Sequence, residues 1–152
     1  SNGDSPAGPA MISPDMYRRF ALPYEQKIVE TAHECGLPYM LHICGDTTVI
    51  LDAMKETGAD SIELDYGTDI QKVHDVLGND CVFSGCIDPT GVLLQGTPEL
   101  VRQKAQEVLD IYADSPSYIV NAGCAVPTMT PEENLRALVE TAHNAEIKTD
   151  TL

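Results

Sequence analysis

The chain has 152 residues, 43% hydrophobic and 22% charged, which suits one packed domain but falls short of the roughly 250 residues of a complete eight-stranded β/α barrel. Nine Lys+Arg against 24 Asp+Glu give a net charge of −15, which repels phosphate backbones and anionic membranes, so neither nucleic acid nor a membrane surface is expected as a partner. No apolar run of about 18 residues and no secretory leader is visible, and five scattered cysteines suit free thiols or metal ligands, so a soluble protein of the reducing cytoplasm is expected.

In chain order, residues 1–12 read as a flexible leader. A long helix follows, with Ser13 as N-cap and Pro14 in its first turn. Tyr17, Phe20, Ala21, Tyr24 and Ile28 form its apolar stripe, and Pro23 should kink or divide it. Short apolar runs then alternate with helical patterns, the mark of β/α units and a parallel sheet. The expected strands are Tyr39 to Cys44, Ser61 to Asp65, Cys81 to Ile87 and Tyr118 to Ala122, while Gly36, Gly58 and Gly78 stand where helices end. Thr97-Pro98 opens a helix with Leu100, Val101, Ala105, Val108, Leu109 and Tyr112 on one side. Thr130, Pro131 and Glu133 form a capping box before a stripe of Leu135, Leu138, Val139 and Ala142.

Alternate residues of a strand face opposite sides of its sheet. Tyr39, Leu41 and Ile43 therefore oppose Met40, His42 and Cys44; Ile62 and Leu64 oppose Glu63 and Asp65; Phe83 and Ile87 oppose Ser84, Cys86 and Asp88. A sheet covered by helices on both faces would be apolar on both, so the recurrent polar face predicts a barrel lumen with its chemistry at the C-terminal strand ends. Four parallel β/α units plus a leading helix make half of a (β/α)8 TIM barrel. Residues 1–152 are therefore expected to be a single partial domain, the C-terminal half of a barrel whose N-terminal half is absent. The alternative is a small open α/β sandwich. A half-barrel exposes two sheet edges, which invites self-association or burial by the leading helix.

His42-Ile43-Cys44 puts an imidazole and a thiol on one side of a strand, donors that favour zinc over magnesium or calcium. Candidates for a third donor are Cys124 after the last strand, Cys86 by inward parity, and Asp65 or Glu63 from the neighbouring strand. Strict alternation from Asn121 sends Cys124 to the wrong face, so it must lie beyond the regular strand. His33, His74 and His143 read as structural or solvated, and Cys35 and Cys81 as packing residues.

The ordered set Ser13-Pro14-Asp15-Met16-Tyr17, Leu22-Pro23-Tyr24, Leu41-His42-Ile43-Cys44-Gly45, Leu64-Asp65, Asp88-Pro89, Gly96-Thr97-Pro98-Glu99, Asn121-Ala122-Gly123-Cys124 and Thr130-Pro131-Glu132-Glu133-Asn134 resembles the C-terminal half of the uroporphyrinogen decarboxylase superfamily. Within it, decarboxylases usually carry His where this chain has Cys124 and use no zinc. His42, Cys44 and Cys124 instead resemble the zinc set of the methylcobamide:coenzyme M methyltransferases, and Asp65 aligns with an acidic position that can supply a displaceable fourth ligand. Cobalamin-independent methionine synthase shares the His-x-Cys…Cys pattern but differs after the last cysteine, where this chain reads Ala125-Val126-Pro127.

That resemblance implies Zn2+ held by His42, Cys44 and Cys124, Asp65 as fourth ligand or proton acceptor, and a methylcorrinoid donor carried on a partner corrinoid protein. A small thiol such as coenzyme M would accept the methyl group. The alternatives are a metal-free uroporphyrinogen decarboxylase and a noncatalytic half-barrel.

Overall fold

Each strand of the sheet pairs in parallel with the next one along the chain, giving the order β1-β2-β3-β4-β5. The computed structural model describes residues 1–145. The elements are β1 (Asn2–Gly3), a 3-10 turn (Ser5–Ala7), α1 (Pro14–Phe20), α2 (Leu22–Glu34), β2 (Met40–Ile43) and α3 (Leu51–Lys55). Then come β3 (Ser61–Leu64), α4 (Ile70–Leu77), β4 (Val82–Ile87), a π-helical turn (Pro89–Leu94), α5 (Pro98–Ile111), β5 (Tyr118–Ala122) and α6 (Glu132–His143). A doubly wound open sandwich reverses its strand order at a switch point. This sheet never reverses, and its two ends do not meet, so the chain is an α/β half-barrel.

The sheet's helix-facing row, Leu41, Ile43, Ile62, Leu64 and Phe83, is fully buried, while Met40, His42, Cys44 and Glu63 on the other row are half-buried. Phe83, Tyr112 and Tyr118 stack with centroids 4.8–5.4 Å apart, tying β4, α5 and β5 together. Ser13 Oγ accepts from Met16 N–H and Thr97 Oγ1 from Leu100 N–H, as their N-cap positions require. Among the described residues no helix is long and apolar enough to cross a membrane.

Four expectations are corrected. Residues 1–12 do not stand apart as a leader: Asn2 and Gly3 pair with Leu41 and His42, and Ala7 is buried. The leading helix does divide as expected, at Ala21 with Pro23 in the first turn of α2, but its buried face differs. Its inward face is Tyr17, Ala21, Leu22, Glu25 and Val29, so Phe20, Tyr24 and Ile28 are left exposed. No capping box forms at α6, where Thr130 Oγ1 is buried without a partner among the described residues. Cys35, expected in the packing, is exposed at the end of α2.

Candidate metal centre

β2 buries Leu41 and Ile43 on the helix side, which turns His42 and then Cys44 to the lumen side. Cys44 lies just past the strand, where Gly45 turns the chain with φ +84° and donates its N–H to Asp65 Oδ2 at 2.6 Å. Asp65 stands in the corresponding place past β3.

Cys124 arrives from the far end of the chain. Gly123 donates its N–H to Ile87 O at 3.0 Å, and a Cβ on it would fall 2.8 Å from Asp65 Cα and Leu64 O. The absent side chain lets the end of β5 pass over β4 and rest on the backbone at the end of β3. That crossing resolves the parity problem, because residue 124 lies outside the strand.

Cys124 Sγ is 3.9 Å from Cys44 Sγ, and His42 Nε2 is 3.0 Å from Cys44 Sγ. One donor atom from each of the three residues lies within 4.8 Å of the others. Two thiolates on a tetrahedral zinc at about 2.3 Å each would stand about 3.8 Å apart, close to the observed sulfur separation. A disulfide would need about 2.05 Å, and the thiols are free. Burial, then the hydrogen bond with Cys44 and the negative charge of Asp65, push the Cys124 thiol above its ordinary range. Asp65 Oδ1 is buried with no hydrogen-bond partner among the described residues. Two sulfurs, an imidazole and an unsatisfied carboxylate oxygen form a donor set that fits a borderline-soft divalent cation.

The other candidates do not join this cluster. Gly85, at φ +131°, breaks the alternation of β4, and the Cys86 thiol packs on the hydrophobic core; burial pushes it up to about 11. Glu63 lies on the lumen side, but its carboxylate faces His42 Nδ1 at 3.2 Å. Ser84 is buried beside it, and Asn121 Nδ2 donates to Glu63 Oε1 at 2.7 Å. Sequence parity puts these residues on one face, but only the strand register brings them together. His33 pairs with Asp60 at 2.8 Å and His74 with Asp114 at 3.1 Å, His143 is exposed, and Cys81 is buried.

The family profile "Uroporphyrinogen decarboxylase (URO-D)" matches residues 3–145. The chain is 37% identical over 141 residues to the methylcobamide:CoM methyltransferase MtbA of Methanosarcina acetivorans, covering 93% of this chain and 40% of that protein. It is 29% identical over 133 residues to the uroporphyrinogen decarboxylase of Syntrophotalea carbinolica, covering 88% of this chain and 38% of that protein. A solved methyltransferase from Methanosarcina mazei superposes with a TM-score of 0.82 at 27% identity, over 93% of this chain and 40% of that one. The chain thus spans about two fifths of these relatives. With the profile matched along nearly its whole length, the chain belongs to the uroporphyrinogen decarboxylase family.

Proposed function

We propose that this chain is the metal-binding half of an enzyme that transfers a methyl group from a methylated corrinoid, carried on a partner protein, to a small thiol such as coenzyme M. The observation that supports this most is the convergence of His42, Cys44 and Cys124 across 80 residues of chain into one donor cluster. The similarity to a methylcobamide:CoM methyltransferase supports the same branch of the family. Both a decarboxylase and a noncatalytic half-barrel leave those three donors without a task.

On this reading His42 Nε2, Cys44 Sγ and Cys124 Sγ hold Zn2+. Bound there, the cation supplies the positive charge that keeps a thiolate deprotonated near neutral pH. Asp65 is fixed through Oδ2 by Gly45 N–H, and its Oδ1 would serve as a further, displaceable donor or would take the proton of the incoming thiol. A methylated corrinoid on the partner protein would supply the methyl group as a co-substrate, keeping the carbon–cobalt electron pair as the group passes to the thiol sulfur, and Asp65 is the residue of this chain placed to receive the thiol proton.

The test is metal content followed by activity in the intact protein. About one zinc per chain is expected, lost in Cys44→Ser and Cys124→Ser, together with zinc-dependent methylation of coenzyme M by methylcobalamin. Intact protein that neither carries nor takes up zinc would sink the proposal.

A further inference from the structure

Glu63 sits directly beside His42 on the neighbouring strand, and Ser84 sits beside Glu63 on the next. His42 Nδ1 donates to the Glu63 carbonyl oxygen at 3.1 Å and lies 3.2 Å from the same residue's carboxylate Oε2. The other carboxylate oxygen accepts from Asn121 Nδ2 at 2.7 Å, and that amide also reaches Ser84 Oγ at 3.3 Å. Every group facing Nδ1 is therefore an acceptor. This places the ring proton on Nδ1 and leaves the Nε2 lone pair turned toward Cys44 Sγ.

The carboxylate side chain is only 22% exposed. Removing a charge from water costs free energy unless an opposite charge compensates. Among the described residues neither lysine nor arginine pairs with Glu63, whose carboxylate meets His42 and Asn121. A neutral amide or hydroxyl would serve Asn121 equally well. A cation on the far side of the His42 ring would compensate a negative charge placed here.

We propose that Glu63 is a positioning residue of the metal centre, with Asn121 fixing its rotamer. It holds the proton on His42 Nδ1, presents Nε2 as a donor, and passes negative charge through the imidazole to the bound ion. This inference rests on reading the three donors as a zinc site.

The experiment measures zinc affinity of the intact protein by competition with a chromophoric chelator, in wild type, Glu63→Gln and Asn121→Ala. Glu63→Gln should bind zinc roughly 10- to 100-fold more weakly, and Asn121→Ala should show a smaller loss. The sulfur-to-cobalt charge-transfer band of the cobalt(II)-loaded variants should stay unchanged, showing the same ligand set. Nitrogen NMR of metal-free wild type should find His42 protonated at Nδ1, a signature that a merely structural glutamate would not require. A Glu63→Gln protein with wild-type affinity, or His42 protonated at Nε2, overturns the positioning role and leaves the zinc site standing. Wild type that binds no zinc overturns both. If circular dichroism shows Glu63→Gln unfolded, the tautomer of wild-type His42 decides.

Discussion

At residue 123 the fold has no room for a methyl group. The nearest atoms to a Cβ there are all backbone, Asp65 Cα and Leu64 O at 2.8 Å and Tyr66 N at 2.9 Å, so no side chain can swing away to make space. Gly123→Ala should lift the end of β5 off β3 and carry Cys124 away from Cys44. The expected cost is about 1–3 kcal/mol in urea denaturation, with zinc stoichiometry falling well below that of wild type. An alanine variant with unchanged stability and zinc content would refute this account. At this scale His42 and Cys44 are legible from sequence, because two residues on one strand share a face by geometry. Cys124 is legible from the residues only as one third-donor candidate beside Cys86, Asp65 and Glu63, and resemblance alone singles it out, since its position depends on a crossing between strands distant along the chain. Cys86 misleads for the opposite reason: alternation assigns it inward, and Gly85 turns it away. Glu63 and Asp65 share parity too, but they differ in level. Glu63 is in register with His42, while Asp65 lies past the strand end beside Gly45.

At the scale of elements, α1 and α2 are joined through a buried acid. Tyr17 donates its hydroxyl proton to Glu25 Oε2, and Glu25 Oε1 has no partner among the described residues. Burial, with the hydrogen bond from Tyr17 opposing it and Asp4 adding to it, raises the Glu25 carboxyl from 4.5 to about 7. A raised carboxyl means that the folded state holds this proton more tightly than the unfolded chain. Its stabilising effect is complete below about pH 4.5 and is lost as pH rises through about 7. Wild type should therefore lose up to about 3 kcal/mol relative to Glu25→Gln across that window, read from urea midpoints at a series of pH values. A constant difference between the two proteins would exclude it. The strands themselves were readable, β5 to the residue and β2, β3 and β4 to within one residue at either end, because each is an apolar run too short for a helix and is followed by a helical pattern. The leading helix was harder. Its apolar residues outnumber those it buries, so periodicity alone pointed to Phe20, Tyr24 and Ile28, which the fold leaves at the surface.

For the whole molecule, the two ends of the sheet matter most. β1 and β5 each pair on one side only, and exposed apolar side chains lie near both ends, Phe20 and Tyr24 on the helices after β1, Val126 and Met129 after β5. Unpaired strand edges template further pairing, while a net charge of −15 opposes it. The chain taken alone should self-associate in sedimentation velocity, increasingly with concentration and with salt, as screening shortens the reach of the repulsion. A monomer at every concentration in high salt would show that these edges are inert. Sequence alone indicated the open half-barrel through its recurrent polar strand faces, but the pairing of Asn2 and Gly3 was hidden, since two residues carry no period. The long separation of the two clustered sulfurs has a mechanical meaning as well. Whatever clasps Cys44 and Cys124 closes a ring of 80 residues, and a cross-link of that span is worth about 4 kcal/mol in chain entropy. A cation seated there would act as a keystone for the arch, so that arming the reaction and bracing the scaffold become a single equilibrium.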